Sequence, residues 1–244
     1  LSDGNPGLRR GYALALGVLP AEQLRPQLQT AIDALVTASR VEADAELRDP
    51  ETRRNAVRAM GALAATVGIA ALTVDQYVQL VEAVLDGMGD YQTDNRGDVG
   101  SWVREEAIGG VLPLLRLAVR STEARGEPHQ EQARIVARLS DLSARFASCL
   151  CQQVNEKIDR MREMAAAAMT ELLCEPALPF GSRAELEAIF VEPRPEQPSG
   201  TEQSSRTEQS SRTAAASSSC ARTSAVPISA LHQSAGGSSA PPRA

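Results

Sequence analysis

Aromatic residues make up only 3 % of the 244-residue chain, and alanine and leucine fill many of the apolar positions. That disfavours β-structure, which draws on β-branched and aromatic side chains. It suits helices packed through small aliphatic residues. Histidine is almost missing: ahead of the C-terminal tail there is only His129. A metal cage or a catalytic triad therefore lacks its usual ligand and base. Cys149, Cys151, Cys174 and Cys220 follow neither a disulfide framework nor a zinc spacing, which points to a reducing, intracellular setting. No secretory signal is visible, and no apolar run is long enough to cross a bilayer. Lys157 is the sole lysine, and a net charge of -6 argues against the basic face that general nucleic-acid binding requires. The chain starts at Leu1 instead of Met, so a piece of a longer protein is expected.

What is present is helical periodicity broken by turn signals. Asn5-Pro6 combines an N-cap with a first-turn proline, and Pro20 ends that helix. A second helix is expected from about Leu24 to Ala38, with Pro26 in its first turn. Asp49-Pro50 repeats the cap-plus-proline start, and Gly68 suits the C-terminal stop. Thr73 and Gln76 form a capping box for the next helix. A polar loop from Asp90 runs into a helix through about Val119, with Pro113 expected to bend it. Long patterns follow from Ile135 to Leu150 and, capped by Asn155, from Ile158 to Leu172. Ser182 and Glu185 offer a last capping box before Phe190.

A weak internal repeat unites these helices. Arg10, Arg53, Arg104 and Arg162 are each followed three residues later by alanine (Ala13, Ala56, Ala107, Ala165). Four residues further stand Gly17, Met60, Val111 and Met169. The spacing suits helix-pair repeats of about 40–47 residues stretched by loops. The expected fold is all-α, a HEAT/armadillo-like helical-repeat solenoid over residues 1–190. Residues 191–244 are rich in Ser, Pro, Ala, Thr and Gln and read as a low-complexity, disordered tail.

The most distinctive stretch is Asp90 to Glu106. Asn95, Gly97 and Asp98 force a turn, Asp98 suits an N-cap, and Trp102, Val103, Ala107 and Val111 begin an apolar helical face. Trp102, the sole tryptophan, reads either as a core anchor between helices or as part of an exposed loop that a partner grips. The stretch does not make a calcium loop, because Asn95 and Ser101 stand where glycine and glutamate are needed. Gly87-Met-Gly89 lacks the context of a dinucleotide fingerprint. No cofactor is implied. Arginines at helix starts could serve as trans fingers for a GTPase. The stronger reading pairs Arg104 and Arg162 with carboxylates of neighbouring repeats, Asp98 and Asp159 being the candidates.

The segment from Gly89 to Glu105 resembles the tubulin-folding cofactor D family, whose pattern is Asp-Tyr-x-Thr-Asp-x-Arg-Gly-Asp-Val-Gly-x-Trp-Val-Arg-Glu. Two further matches are Glu156-Lys-Ile-Asp-Arg160 with Arg162, and Arg9-Arg-Gly-Tyr-Ala-Leu-Ala-Leu-Gly17. Order and spacing agree over about residues 5–190, while the tail does not match. The resemblance implies the C-terminal helical-repeat part of a cytosolic chaperone of the microtubule cytoskeleton, without the family's N-terminal array. It implies a scaffold that binds β-tubulin, joins cofactors E and C, and works with an Arf-like small GTPase in assembling or taking apart the αβ heterodimer. It implies no enzyme in its own right, only a contribution to GTP hydrolysis within a complex. The alternative is a generic helical-repeat adaptor unrelated to tubulin. The expected contact residues are Asp90, Tyr91, Asp94, Arg96, Asp98, Trp102, Arg104 and Glu105, with Lys157, Asp159 and Arg160.

Overall fold

The structure, a computed structural model, describes residues 4–44, 48–123 and 130–191. These fall within one packed unit. Most of the proposed tail and His129 lie outside the described residues.

The described fold is all-α apart from one small hairpin, and its arrangement is consistent with a helical-repeat solenoid. The helices are α1 (Pro6–Val18), α2 (Ala21–Leu24), α3 (Leu28–Ser39), α4 (Pro50–Val67), α5 (Val74–Gly87), α6 (Gly100–Glu123), α7 (Gln130–Gln153), α8 (Asp159–Leu173) and α9 (Arg183–Phe190). α1, α4, α6 and α8 pack side by side in that order, and α3, α5 and α7 form a second row against them.

The repeat is visible in space. Its four arginines fall on α1, α4, α6 and α8, the members of the first row. Its alanines, Ala13, Ala56, Ala107 and Ala165, are fully buried, as are Met60, Val111 and Met169. Gly17 completes the set: an added Cβ would stand 3.0 Å from the Ala59 Cα. Small residues at the equivalent position let neighbouring helices of the row approach closely, and the larger ones four residues on fill the space between rows.

Several starts are as expected. Asn5 accepts from the Gly7 N–H, and Thr73 and Gln76 form a complete capping box. Gly68 ends α4 with φ 76°, a conformation that favours glycine.

Five expectations need correction. The second helix does not start at Leu24; α2 passes through a 3₁₀ turn at Arg25–Gln27, which absorbs Pro26, before α3 begins. Asp49 makes no side-chain cap bond, because its carboxylate is taken by Arg10 and Thr52. Asn155 does not cap α8; it donates to the Cys151 carbonyl at the end of α7, and α8 starts later, after Ile158. Ser182 makes no cap bond either. Arg183 instead serves the preceding helix end: its guanidinium donates to the carbonyls of Leu172 and Leu173 in the last turn of α8 and of Glu175 and Leu178 in the turn that follows. Finally, the polar loop expected before α6 contains a short strand pair: β1 (Thr93–Asp94) pairs antiparallel with β2 (Gly97–Asp98). Pro113 lies inside α6, exposed, without ending it.

Candidate functional site

The loop between α5 and α6 is fastened at its base and free at its tip. At the base, Asp90 is 6 % exposed and bonded in two directions. Its carboxylate accepts from Arg53 Nε of α4 at 2.7 Å and from the Gln92 N–H at 3.0 Å. Its carbonyl accepts from Arg104 Nη1 of α6 at 2.5 Å. Gly100 makes this junction possible: a Cβ there would stand 2.3 Å from the Asp90 carbonyl oxygen. Arg104 is fully buried, bonds Asp98 at 2.9 Å, and carries the Tyr91 ring at 4.3 Å. Asp98 also accepts from the Ser101 N–H, as its expected N-cap role requires.

The tip is the hairpin turn. Gly97 has φ 104° opposite Asp94, which lets Asn95 and Arg96 close the two strands. Asp94 accepts from the Arg96 backbone N–H and from its guanidinium at 2.6 Å. Those bonds from Arg96 hold the exposed Asp94 carboxyl below the usual carboxylate range. Arg96 also reaches Glu51 of α4 at 2.9 Å and lies 5.0 Å above the Trp102 ring. Trp102 is therefore half-buried beneath an arginine, between the two roles its sequence position allowed.

The three motif segments, far apart in sequence, meet around this loop. Arg10 of the first segment bonds Asp49 at 2.7 Å and stands 3.3 Å from Glu51, the residue that also holds Arg96. Burial would raise the Asp49 carboxyl, but hydrogen bonds from Arg10 and Thr52 outweigh it and hold that carboxyl well below the usual range. Glu156 of the third segment accepts from the Tyr91 hydroxyl, which Gln153 of α7 also contacts at 3.0 Å. Burial and the Glu156 carboxylate both push the Tyr91 hydroxyl up. Arg160 pairs with Glu105 at 3.0 Å.

Of the expected contact residues, Tyr91, Asp94, Arg96, Lys157, Asp159 and Arg160 are exposed, and Asp98, Trp102 and Glu105 are half-buried. Asp90 and Arg104 are corrections: both side chains are spent on internal bonds beneath the surface. A buried Arg104 cannot reach out as a finger. The expected Arg104–Asp98 and Arg162–Asp159 pairs do form. Both are local in sequence, three residues apart for Arg162–Asp159 and six for Arg104–Asp98, whereas the repeat arginines Arg10 and Arg53 pair with distant carboxylates, Asp49 and Asp90. Sequence reasoning missed Glu51, Gln153 and Glu106, which pairs with Arg58 at 2.6 Å. Nothing in their local sequence marks them, because their partners lie on other helices. Among the described residues, no group of three or more His, Cys, Asp or Glu could hold a metal ion, and no helix is long and apolar enough to cross a membrane.

Comparison with known proteins falls on the family the motifs resemble. A family model described as tubulin folding cofactor D C terminal matches residues 144–225, which carries the match past Phe190 into the stretch set aside above as tail. The tubulin-specific chaperone D of Dictyostelium discoideum is 24% identical over 204 residues. That alignment covers 70% of this chain but only 13% of the relative, so the chain spans a small part of that protein's length. No solved structure matches. The two findings support a tubulin folding cofactor D region at low sequence identity.

Proposed function

We propose, from that family support, that this chain is part of a tubulin-folding chaperone: a helical scaffold that binds β-tubulin and partner cofactors during assembly or disassembly of the αβ heterodimer. The observation that carries the reading is the meeting of three distant motif segments around one loop. Asp90, Gly100 and Arg104 fix the loop's base, so the hairpin bearing Asp94 and Arg96 is held rigidly on the helix row. A pre-shaped surface loses little freedom when a protein partner engages it. Its paired charges give register and partner choice more than raw affinity.

In this reading the partners are β-tubulin, cofactors E and C and an Arf-like small GTPase, and the setting is the cytoplasm. The chain contributes to stimulating tubulin GTP hydrolysis only as part of the complex, through placement of its partners. Arg96 has an exposed guanidinium, whereas Arg104 is buried.

The test is co-purification of the full-length protein with β-tubulin and the cofactors. Asp94→Ala and Arg96→Ala should each lower recovery of β-tubulin several-fold while leaving far-UV circular dichroism unchanged. Full recovery by both variants removes the hairpin from the interface. Intact GTP hydrolysis by the complex with Arg96→Ala removes that arginine from any part in the chemistry.

A further inference from the structure

Beside the hairpin, a groove of about 720 Å³ runs between α4, α6 and α8. One wall is the α4 stripe Arg54, Arg58 and Gly61; the facing wall is the α6 stripe Trp102, Glu105 and Gly109. Both walls carry glycine where helices disfavour it, since glycine in a helix interior is less stable than alanine. No packing requirement accounts for these glycines. A Cβ added at Gly61 or at Gly109 would meet nothing within 4 Å. Both empty positions open into the same groove. Glycine without a packing partner is what a surface needs when another backbone must lie close against it.

The groove also has one under-used cation. Arg58 is paired with Glu106, and Arg160 with Glu105. Arg54 forms no ion pair among the described residues. Its Nη2 makes one long bond to Asn55 at 3.3 Å, and its Nε is buried without an acceptor. A guanidinium without a carboxylate partner is suited to receive one.

We infer that this groove binds an acidic peptide segment of a protein partner, its backbone laid over Gly61 and Gly109 and one side-chain carboxylate seated on Arg54. Glu51 also lines the groove and its Oε2 lacks a hydrogen-bond partner, but its carboxylate is ion-paired with Arg10 at 3.3 Å and with Arg96 at 2.9 Å, so a basic segment would compete with arginines already in place. The site does not depend on the tubulin reading, and its test uses no tubulin.

The probe is a fluorescein-labelled deca-glutamate peptide added to the full chain at low ionic strength, read by anisotropy. Trp102, the sole tryptophan, lines the groove and reports occupancy by its emission. Saturable binding with a shift in Trp102 emission is expected, weakening as salt is raised. Arg54→Gln should weaken it about tenfold, the loss of one charge-assisted contact. Gly109→Leu should abolish it, while Gly109→Ala, which fills less space, keeps the helix and part of the affinity. Unchanged circular dichroism confirms that each variant is folded. The inference is overturned by absent binding, by equal binding of deca-lysine, by full affinity in Arg54→Gln, or by binding that leaves Trp102 emission unmoved. Any of these leaves the hairpin's proposed role standing.

Discussion

Two aspartates of one loop are each paired with an arginine, and the two pairs do opposite things. Arg53–Asp90 at the base has side-chain exposures of 3% and 5%, whereas Arg96–Asp94 at the tip has 43% and 33%. Their closest distances are 2.7 and 2.6 Å, so geometry does not separate them. Water does. At the base both charges have left solvent, and each depends on the other and on nearby dipoles. At the tip, solvent screens the attraction, and the pair costs little to open. The same residue types therefore fix the loop in one place and leave it available for recognition in the other.

The largest break in that comparison is Arg53→Ala. It strands the Asp90 carboxylate beneath the surface with only the Gln92 N–H, and should cost about 3–5 kcal/mol of unfolding free energy, read by urea denaturation. A loss under about 1 kcal/mol would mean that water reaches the base.

The intermediate case is Arg10–Asp49, where the carboxylate is buried and the arginine is 41% exposed. The Asp49 carboxyl is lowered in the folded chain. Its contribution is therefore complete above the unfolded value of about 3.9 and is lost as pH falls below it. Denaturation midpoints measured between pH 5 and pH 2 should fall more steeply for the parent chain than for Arg10→Gln. Parallel acid limbs would show that this pair carries no folding linkage.

The smallest effect is expected at the tip. Arg96→Ala should leave the thermal midpoint and helicity of the isolated chain unchanged, even as it lowers partner recovery. A clear drop in the midpoint would make the hairpin structural and erase the contrast with the base.

Much of the fold was legible because its signals are local. Asn5-Pro6, the Thr73–Gln76 box and Gly68 act within one turn, so the sequence holds cause and effect together. The four-fold Arg–x–x–Ala pattern foretold which helices share a row. Asp49, Asn155 and Ser182 failed as caps for a complementary reason. Each is a good cap by type, but Arg10 claimed Asp49, the end of α7 claimed Asn155, and the backbone at Ser182 left its side chain unused.

Residue order alone determined that this chain is a row of amphipathic helices, interrupted by one charged turn between Asp90 and Asp98. Helical period and turn chemistry are properties of neighbours in sequence. Only the tertiary structure decided that Asp90 and Arg104 are buried while Asp94 and Arg96 face outward. It also brought Glu51, Tyr91 and Glu156 to one place and opened a groove over Gly61 and Gly109. Exposure and pairing depend on which helix packs next, and that is settled when apolar stripes from distant segments leave water together.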